Sequence, residues 1–183
     1  MQSKQDKFLS EFEPLKKNLW RFCISVSPTY EDAKDLLQDT IETAYIEFEK
    51  LNDSRTFLSW MFSIASRLNH ARFVKRKRTE LVSDDYFDLI ESEELQPDSI
   101  YEIKLLYKAL DKLPIEQKEA IVLCNILGYS QNLASEIQNT KLETLKQRLY
   151  RGKIQLKLLM SLEIKSSDES QIITQRGSNE EIR

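Results

Sequence analysis

Only three glycines and four prolines occur in 183 residues, too few for the tight turns that an all-β architecture requires, so the shortage itself points to helices. No apolar run approaches the roughly twenty residues of a membrane-spanning helix. The opening Met-Gln-Ser-Lys-Gln-Asp-Lys lacks the apolar core of a signal peptide, and a cytoplasmic chain with no membrane insertion is expected. His70 is the single histidine, and Cys23 and Cys124 each lie in apolar surroundings. Two reduced thiols fit that placement better than a bridge, and one histidine without a ligand cluster excludes a conventional zinc or catalytic centre. No catalytic residue, metal or cofactor is expected.

What the chain does have is charge, 31% of all residues beside 40% apolar, with a formal net charge of −3. The balance looks wrong for a nucleic-acid binder, but the charges are segregated. Arg72, Lys75, Arg76, Lys77 and Arg78 form a basic cluster, whereas Thr79 to Ser99 carries eight carboxylates, from Glu80 to Asp98, and no lysine or arginine. A stretch so biased buries little and reads as a linker. The sequence is therefore divided into an all-α pair of small helical domains, residues 1–79 and 100–161, joined by an acidic linker at 80–99. A Ser-, Glu- and Gln-rich tail at 162–183 is expected to be disordered.

In the first half, Phe8, Phe12, Leu15, Leu19, Phe22 and Cys23 recur at helical spacing, predicting a helix from about Asp6 to Ser25 that Pro14 disturbs. Ser27-Pro28-Thr29 ends it and offers a cap for a helix from about Tyr30 to Lys50. That helix turns Ala33, Leu37, Ile41, Ala44, Phe48 and Leu51 inward and Asp32, Asp35, Asp39 and Glu42 outward, giving one strongly acidic face. After a polar loop, Phe57 to about Lys77 forms a third helix rich in Trp60, Met61, Phe62, Ile64, Ala65, Leu68 and Phe73 and ending in the basic cluster. Most of its apolar residues suit core packing. The exposed remainder interleaves aromatic and basic groups, a pattern that also suits bases stacking on π faces while cations follow phosphate.

The second half carries a sharper signal. Pro114 occupies a first-turn position, Gly128 ends the apolar run Ile121 to Leu127, and Ser130 can cap a short helix in which Leu133, Ala134 and Ile137 face inward. Asn139 accepts a left-handed turn, and Thr140 with Glu143 has capping-box spacing for a last helix bearing Leu142, Leu145, Leu149, Leu156 and Leu159. Gly152 inside that stripe would permit close helix approach. Three helices with so short a turn between the last two make a helix-turn-helix. Opposite its leucines lie Gln147, Tyr150, Arg151 and Ile154, flanked by Lys146 and Arg148, a face that suits base edges and phosphates in a major groove. An ordinary solvated face has a similar composition. From these residues alone, a regulator that binds duplex DNA without other machinery and a helical adaptor that never touches DNA also remain open.

Three segments narrow the field. Asp32-Ala33-Lys34-Asp35-Leu36-Leu37-Gln38-Asp39-Thr40, then Phe57-Leu58-Ser59-Trp60-Met61-Phe62-Ser63-Ile64-Ala65, then Leu113-Pro114 through Gly128-Tyr129-Ser130 to Glu143-Thr144-Leu145-Lys146-Gln147-Arg148-Leu149-Tyr150-Arg151 together resemble the extracytoplasmic-function group of bacterial sigma factors. The resemblance covers about Phe8 to Met160. It implies a non-enzymatic promoter-specificity subunit that binds core RNA polymerase and assists strand opening, built from the helical bundle called region two and the helix-turn-helix called region four.

Residue by residue, it implies that Asp35, Leu36, Gln38 and Asp39 meet the clamp helices of the largest polymerase subunit. Asn52, Asp53, Ser54, Arg55, Thr56, Trp60 and Arg67 would take melted bases of the minus-ten element, while Arg72, Lys75, Arg76 and Lys77 hold the DNA backbone. Arg67 stands where the group often has asparagine. Lys146, Gln147, Tyr150 and Arg151 would read the minus-thirty-five duplex, with Arg148 structural. An anti-sigma factor is a further partner that membership of the group would imply.

Overall fold

The computed structural model describes residues 3–51, 53–76 and 97–180, and those residues contain helices and no strand. Among the described residues eight α-helices follow one another: α1 Lys4–Phe12, α2 Lys16–Val26, α3 Tyr30–Glu47, α4 Phe57–Arg76, α5 Pro97–Asp111, α6 Ile115–Ile121, α7 Gln131–Ile137 and α8 Leu142–Glu180.

The single helix expected from Asp6 to Ser25 is two. Pro14 has no N–H to give, and its ring opposes a continuing helix, so residues 13–15 turn and Leu15 N–H bonds the Phe12 carbonyl at 2.9 Å. Each segment is then capped or packed by itself. Ser3 and Asp6 form a capping box at the start of α1, and Thr29 Oγ1 accepts the Asp32 N–H at 3.1 Å to open α3. Helix α3 ends at Glu47, before the expected Lys50, and its last turn tightens into a 3₁₀ turn at Phe48–Lys50. Phe8 closes the bottom of this module, lying edge-on to Tyr45, Phe48 and Phe57 with centroid separations of 5.4, 5.3 and 5.9 Å. Each such edge-to-face pair adds to simple area burial.

Helix α5 takes in Pro97 to Ser99, which the sequence division placed in the linker, while residues 80–96 lie outside the described residues. Pro114 caps α6 in an extended conformation, one position before the helix. The apolar run that follows is not all α-helix: Val122–Ile126 widens into a π-turn, with Leu127 N–H reaching the Val122 carbonyl at 2.9 Å. Gly128 then takes φ +75°, a conformation open to glycine.

Ser130 caps α7 through the Leu133 N–H, and Asn139 adopts φ 46°, so both turn signals read from the sequence are used. The Thr140 capping box is not. Helix α8 begins at Leu142, which puts Lys141 at the cap position and leaves Thr140 one residue too early. Helix α8 runs on past Leu162 to Glu180. Extending an existing helix fixes one residue per added bond and needs no new nucleus.

The two modules share one hydrophobic core, in which Phe22, Leu36 and Phe62 are continuous with Leu110, Leu123, Ile137 and Leu145. Phe62 lies edge-on to Tyr129 at 5.3 Å. Polar ties cross the same seam: Asn18 Nδ2 donates to the Tyr129 hydroxyl at 3.2 Å, Ser63 Oγ to the Ile137 carbonyl at 3.1 Å, and the buried Lys118 Nζ to the Val26 carbonyl at 3.1 Å. Lys118 also pairs with Asp111 at 2.6 Å, which compensates the cost of burying its charge.

Candidate polymerase and nucleic-acid interfaces

Three surfaces carry the residues singled out from the sequence. On α3 the buried stripe is Ala33, Leu36, Thr40 and Ala44, whereas Leu37 and Ile41 are half-buried. Thr40 can occupy the core because its Oγ1 donates to the Leu36 carbonyl at 2.6 Å, leaving its methyl to pack. Leu36 is therefore removed from the candidate polymerase contacts, since none of its surface reaches solvent.

In its place Leu37 and Ile41 line an open groove of about 570 Å³ with Lys34, Gln38, Glu42 and Tyr45. Asp35 and Gln38 are exposed beside it. Asp39 is turned aside to Arg72, whose Nη2 lies 2.5 Å from its carboxylate and whose Nη1 donates to the Asp32 carbonyl at 3.1 Å. Arg72 thus braces α3 against α4 rather than standing free for phosphate.

At the start of α4, Asp53 accepts from both the backbone N–H and the side chain of Arg55, a bidentate pair with Nη2 to Oδ2 at 2.9 Å. This pairing holds the Asp53 carboxyl below its usual range and raises the Arg55 guanidinium. Thr56 Oγ1 donates to the Asp53 carbonyl at 2.7 Å, and Ser54 is exposed. These local bonds tie the 3₁₀ turn Ser54–Thr56 together.

Further along, Trp60 is half-buried against Phe57, ring centroids 5.8 Å apart, and Arg67 is exposed. Both line a cleft of about 640 Å³ whose opposite wall is the turn of the helix-turn-helix, Glu136 to Asn139, with Arg148. Lys75 is exposed near the end of α4 and Arg76 closes it. Asn52 and Lys77 lie outside the described residues.

On α8 the prediction of an outward face holds in geometry. Lys146, Gln147, Tyr150 and Arg151 are all exposed, with Ile154 continuing the face. Leu145 and Leu149 are buried beneath them. Arg148 is tied inward, its Nη1 donating to Gln138 Oε1 at 2.7 Å while Gln138 Nε2 donates to the Glu116 carbonyl at 3.0 Å. That chain of bonds fixes the turn between α7 and α8. Gly152 lets α8 lie against α6, because a Cβ there would stand 3.0 Å from Ile121 Cδ1 and 3.2 Å from Gln117 Cβ.

Sequence reasoning missed Glu119, which α6 buries completely among Ser66, Asn69 and His70 of α4. A carboxylate directly abutting the apolar run Ala120 to Leu123 was the available signal. Among the described residues no group of three or more metal-ligating side chains is assembled, and no helix is long and apolar enough to cross a membrane.

An all-helical bundle joined to a helix-turn-helix with an exposed polar and basic recognition face defines a DNA-binding transcription factor. Comparison with known proteins gives the family. The Sigma-70 region 2 model matches residues 12–79 and the Sigma-70, region 4 model matches residues 103–156. The ECF RNA polymerase sigma factor EcfG of Rhodopseudomonas palustris (strain TIE-1) is 30% identical over 144 residues, covering 78% of this chain and 79% of that one. SigE of Mycolicibacterium smegmatis, also an ECF RNA polymerase sigma factor, is 32% identical over 145 residues, 76% of this chain and 56% of its own.

Among solved structures, the sigma factor RpoE of Bartonella quintana, in complex with the anti-sigma factor NepR, superposes with a TM-score of 0.72 at 25% identity, over 85% of this chain and 97% of that one. The chain belongs to the ECF RNA polymerase sigma factors and is a transcription initiation factor.

Proposed function

We propose that the three surfaces divide the work of initiation between them. The α3 groove docks core RNA polymerase, with Leu37 and Ile41 supplying apolar contact and Asp35 and Gln38 supplying polar register. Such a composition, apolar at the centre and polar at the rim, suits a helical partner. Trp60 and Arg67 take unstacked bases of the opened strand, one by stacking and the other by cation–π or phosphate contact. Asp53 and Arg55 hold the entry turn in shape. Lys146, Gln147, Tyr150 and Arg151 read the upstream duplex, Gln147 and Arg151 at base edges and Lys146 at phosphate.

The observation that carries this reading is the exposed face of α8, held by the Arg148–Gln138–Glu116 chain in one orientation over a buried leucine seam. Arg151→Ala should lose roughly 1–3 kcal/mol of discrimination at the upstream element, with core-polymerase affinity unchanged. Footprinting of the holoenzyme on wild-type and upstream-scrambled promoters measures this, and equal loss on both templates would contradict the assignment. Because the RpoE neighbour is seen with an anti-sigma factor, an inhibitory protein partner that engages both modules is part of the same proposal.

A further inference from the structure

Glu119 is the most completely buried charged side chain among the described residues, and every hydrogen bond to its carboxylate comes from the other module. Ser66 Oγ donates to Oε2 at 2.7 Å, Asn69 Nδ2 donates to Oε1 at 2.9 Å, and His70 Nε2 lies 3.1 Å from Oε2. All three sit on α4, Ser66 one turn before the neighbours Asn69 and His70. A carboxylate is costly to remove from water unless it is paired and its oxygens are satisfied. Glu119 meets that condition only while α6 is docked on α4. We propose that Glu119 with Ser66, Asn69 and His70 forms a proton-linked latch, which holds the two modules together and closes the strand-reading side of α4.

The chemistry of closure follows from the partners. A positively charged His70 balances the buried carboxylate, whereas a neutral ring supplies a hydrogen bond without charge. The closed state therefore takes up a proton. The hydrogen bond from Glu119 raises the affinity of His70 for that proton, against the opposing effect of burial. Two further charges act on the ring, Glu116 on α6 and Arg148 on α8, and Glu136 on α7, Glu47 at the end of α3 and Arg67 on α4 line the same cleft.

His70 lies at the edge of the cleft, its side chain 36% exposed, so the proton can exchange without unfolding. Lys118 ties α6 to the Val26 carbonyl at the same seam. Closure is favoured below the ordinary histidine value of 6.5 and released as pH rises through the raised value. The same docking sets the Glu136 to Asn139 turn opposite Trp60 and Arg67. That consequence rests on the DNA role assigned to those two residues above, whereas the latch itself does not.

Small-angle scattering of the intact chain, without polymerase or DNA, tests the latch across a pH series spanning 6.5. The wild-type radius of gyration should grow as pH rises. His70→Asn should abolish that dependence, and Glu119→Gln should do the same while keeping helix content by circular dichroism. Glu119→Ala, which leaves three donors without their acceptor, should be expanded at every pH. It should also bind a fluorescent single-stranded oligonucleotide about tenfold more tightly than wild type. A wild-type radius independent of pH, or a Glu119→Ala chain as compact as wild type, overturns the latch. Expansion of Glu119→Ala without a gain in oligonucleotide affinity supports the latch and overturns the reading of Trp60 and Arg67.

Discussion

Gly152 and Leu36 are the positions at which one side chain decides whether a surface exists. At Gly152, any larger residue must displace Ile121 or Gln117 from α6, so Gly152→Val should destabilise the fold by about 1–3 kcal/mol in urea unfolding. Gly152→Ala should cost less, because about 1 kcal/mol of helix propensity is recovered. On α3, neighbouring leucines should separate stability from binding. Leu36→Ala removes a fully buried side chain and should cost about 2–5 kcal/mol. Leu37→Asp, at a half-buried position of the open groove, should cost clearly less stability than Leu36→Ala and abolish retention on immobilised core polymerase. Equal effects of the two substitutions on stability would contradict the orientation of α3. Burial pushes the Cys23 thiol up to about 12, whereas Cys124 is only half-buried. A thiol reagent at neutral pH should therefore modify Cys124 first and reach Cys23 only on unfolding, as peptide mapping by mass spectrometry would show.

At the scale of elements, the turns of the helix-turn-helix are set by single residues with special backbone geometry. Asn139 at φ 46° tolerates a conformation that a β-carbon disfavours, so Asn139→Ala should destabilise the chain by roughly 1–2 kcal/mol, measured by thermal unfolding. These turn residues were legible in the sequence because glycine, asparagine and serine each have a distinct chemical reason to be there. The inward face of α3 was not. Ala33, Leu37, Ile41 and Ala44 have helical spacing as good as Ala33, Leu36, Thr40 and Ala44, and the Thr40 bond to the Leu36 carbonyl lets a hydroxyl stand where periodicity expects an apolar side chain. Likewise Pro14 reads as a disturbance in a long helix, although the chain uses it to make two. The π-turn at Val122–Ile126 leaves the apolar pattern intact and so escapes periodicity altogether.

For the whole molecule, the acidic balance of the chain hides a division of charge between surfaces. The α3 face is acidic and the α8 face basic, and the two can act on different partners at once. The sequence motifs establish that there are two modules, but nothing in their periodicity shows that both contribute to one core. That depended on residues far apart in the chain: Phe62 against Tyr129, Ser63 against Ile137, and Glu119 under His70. His70 gains its partner only when the modules are docked. Its contribution to stability should be full below the ordinary value of 6.5 and decline as pH rises through the raised value.

The central claim is that this chain, docked through α3 and reading DNA through α8, directs core polymerase to start sites. Genome-wide mapping of transcript starts, made in vitro with core enzyme alone and with core enzyme plus this protein, tests it most directly. A discrete set of new starts that share an upstream element at fixed spacing is expected, and it should be lost with Leu37→Asp. Identical start profiles with and without the protein would contradict it.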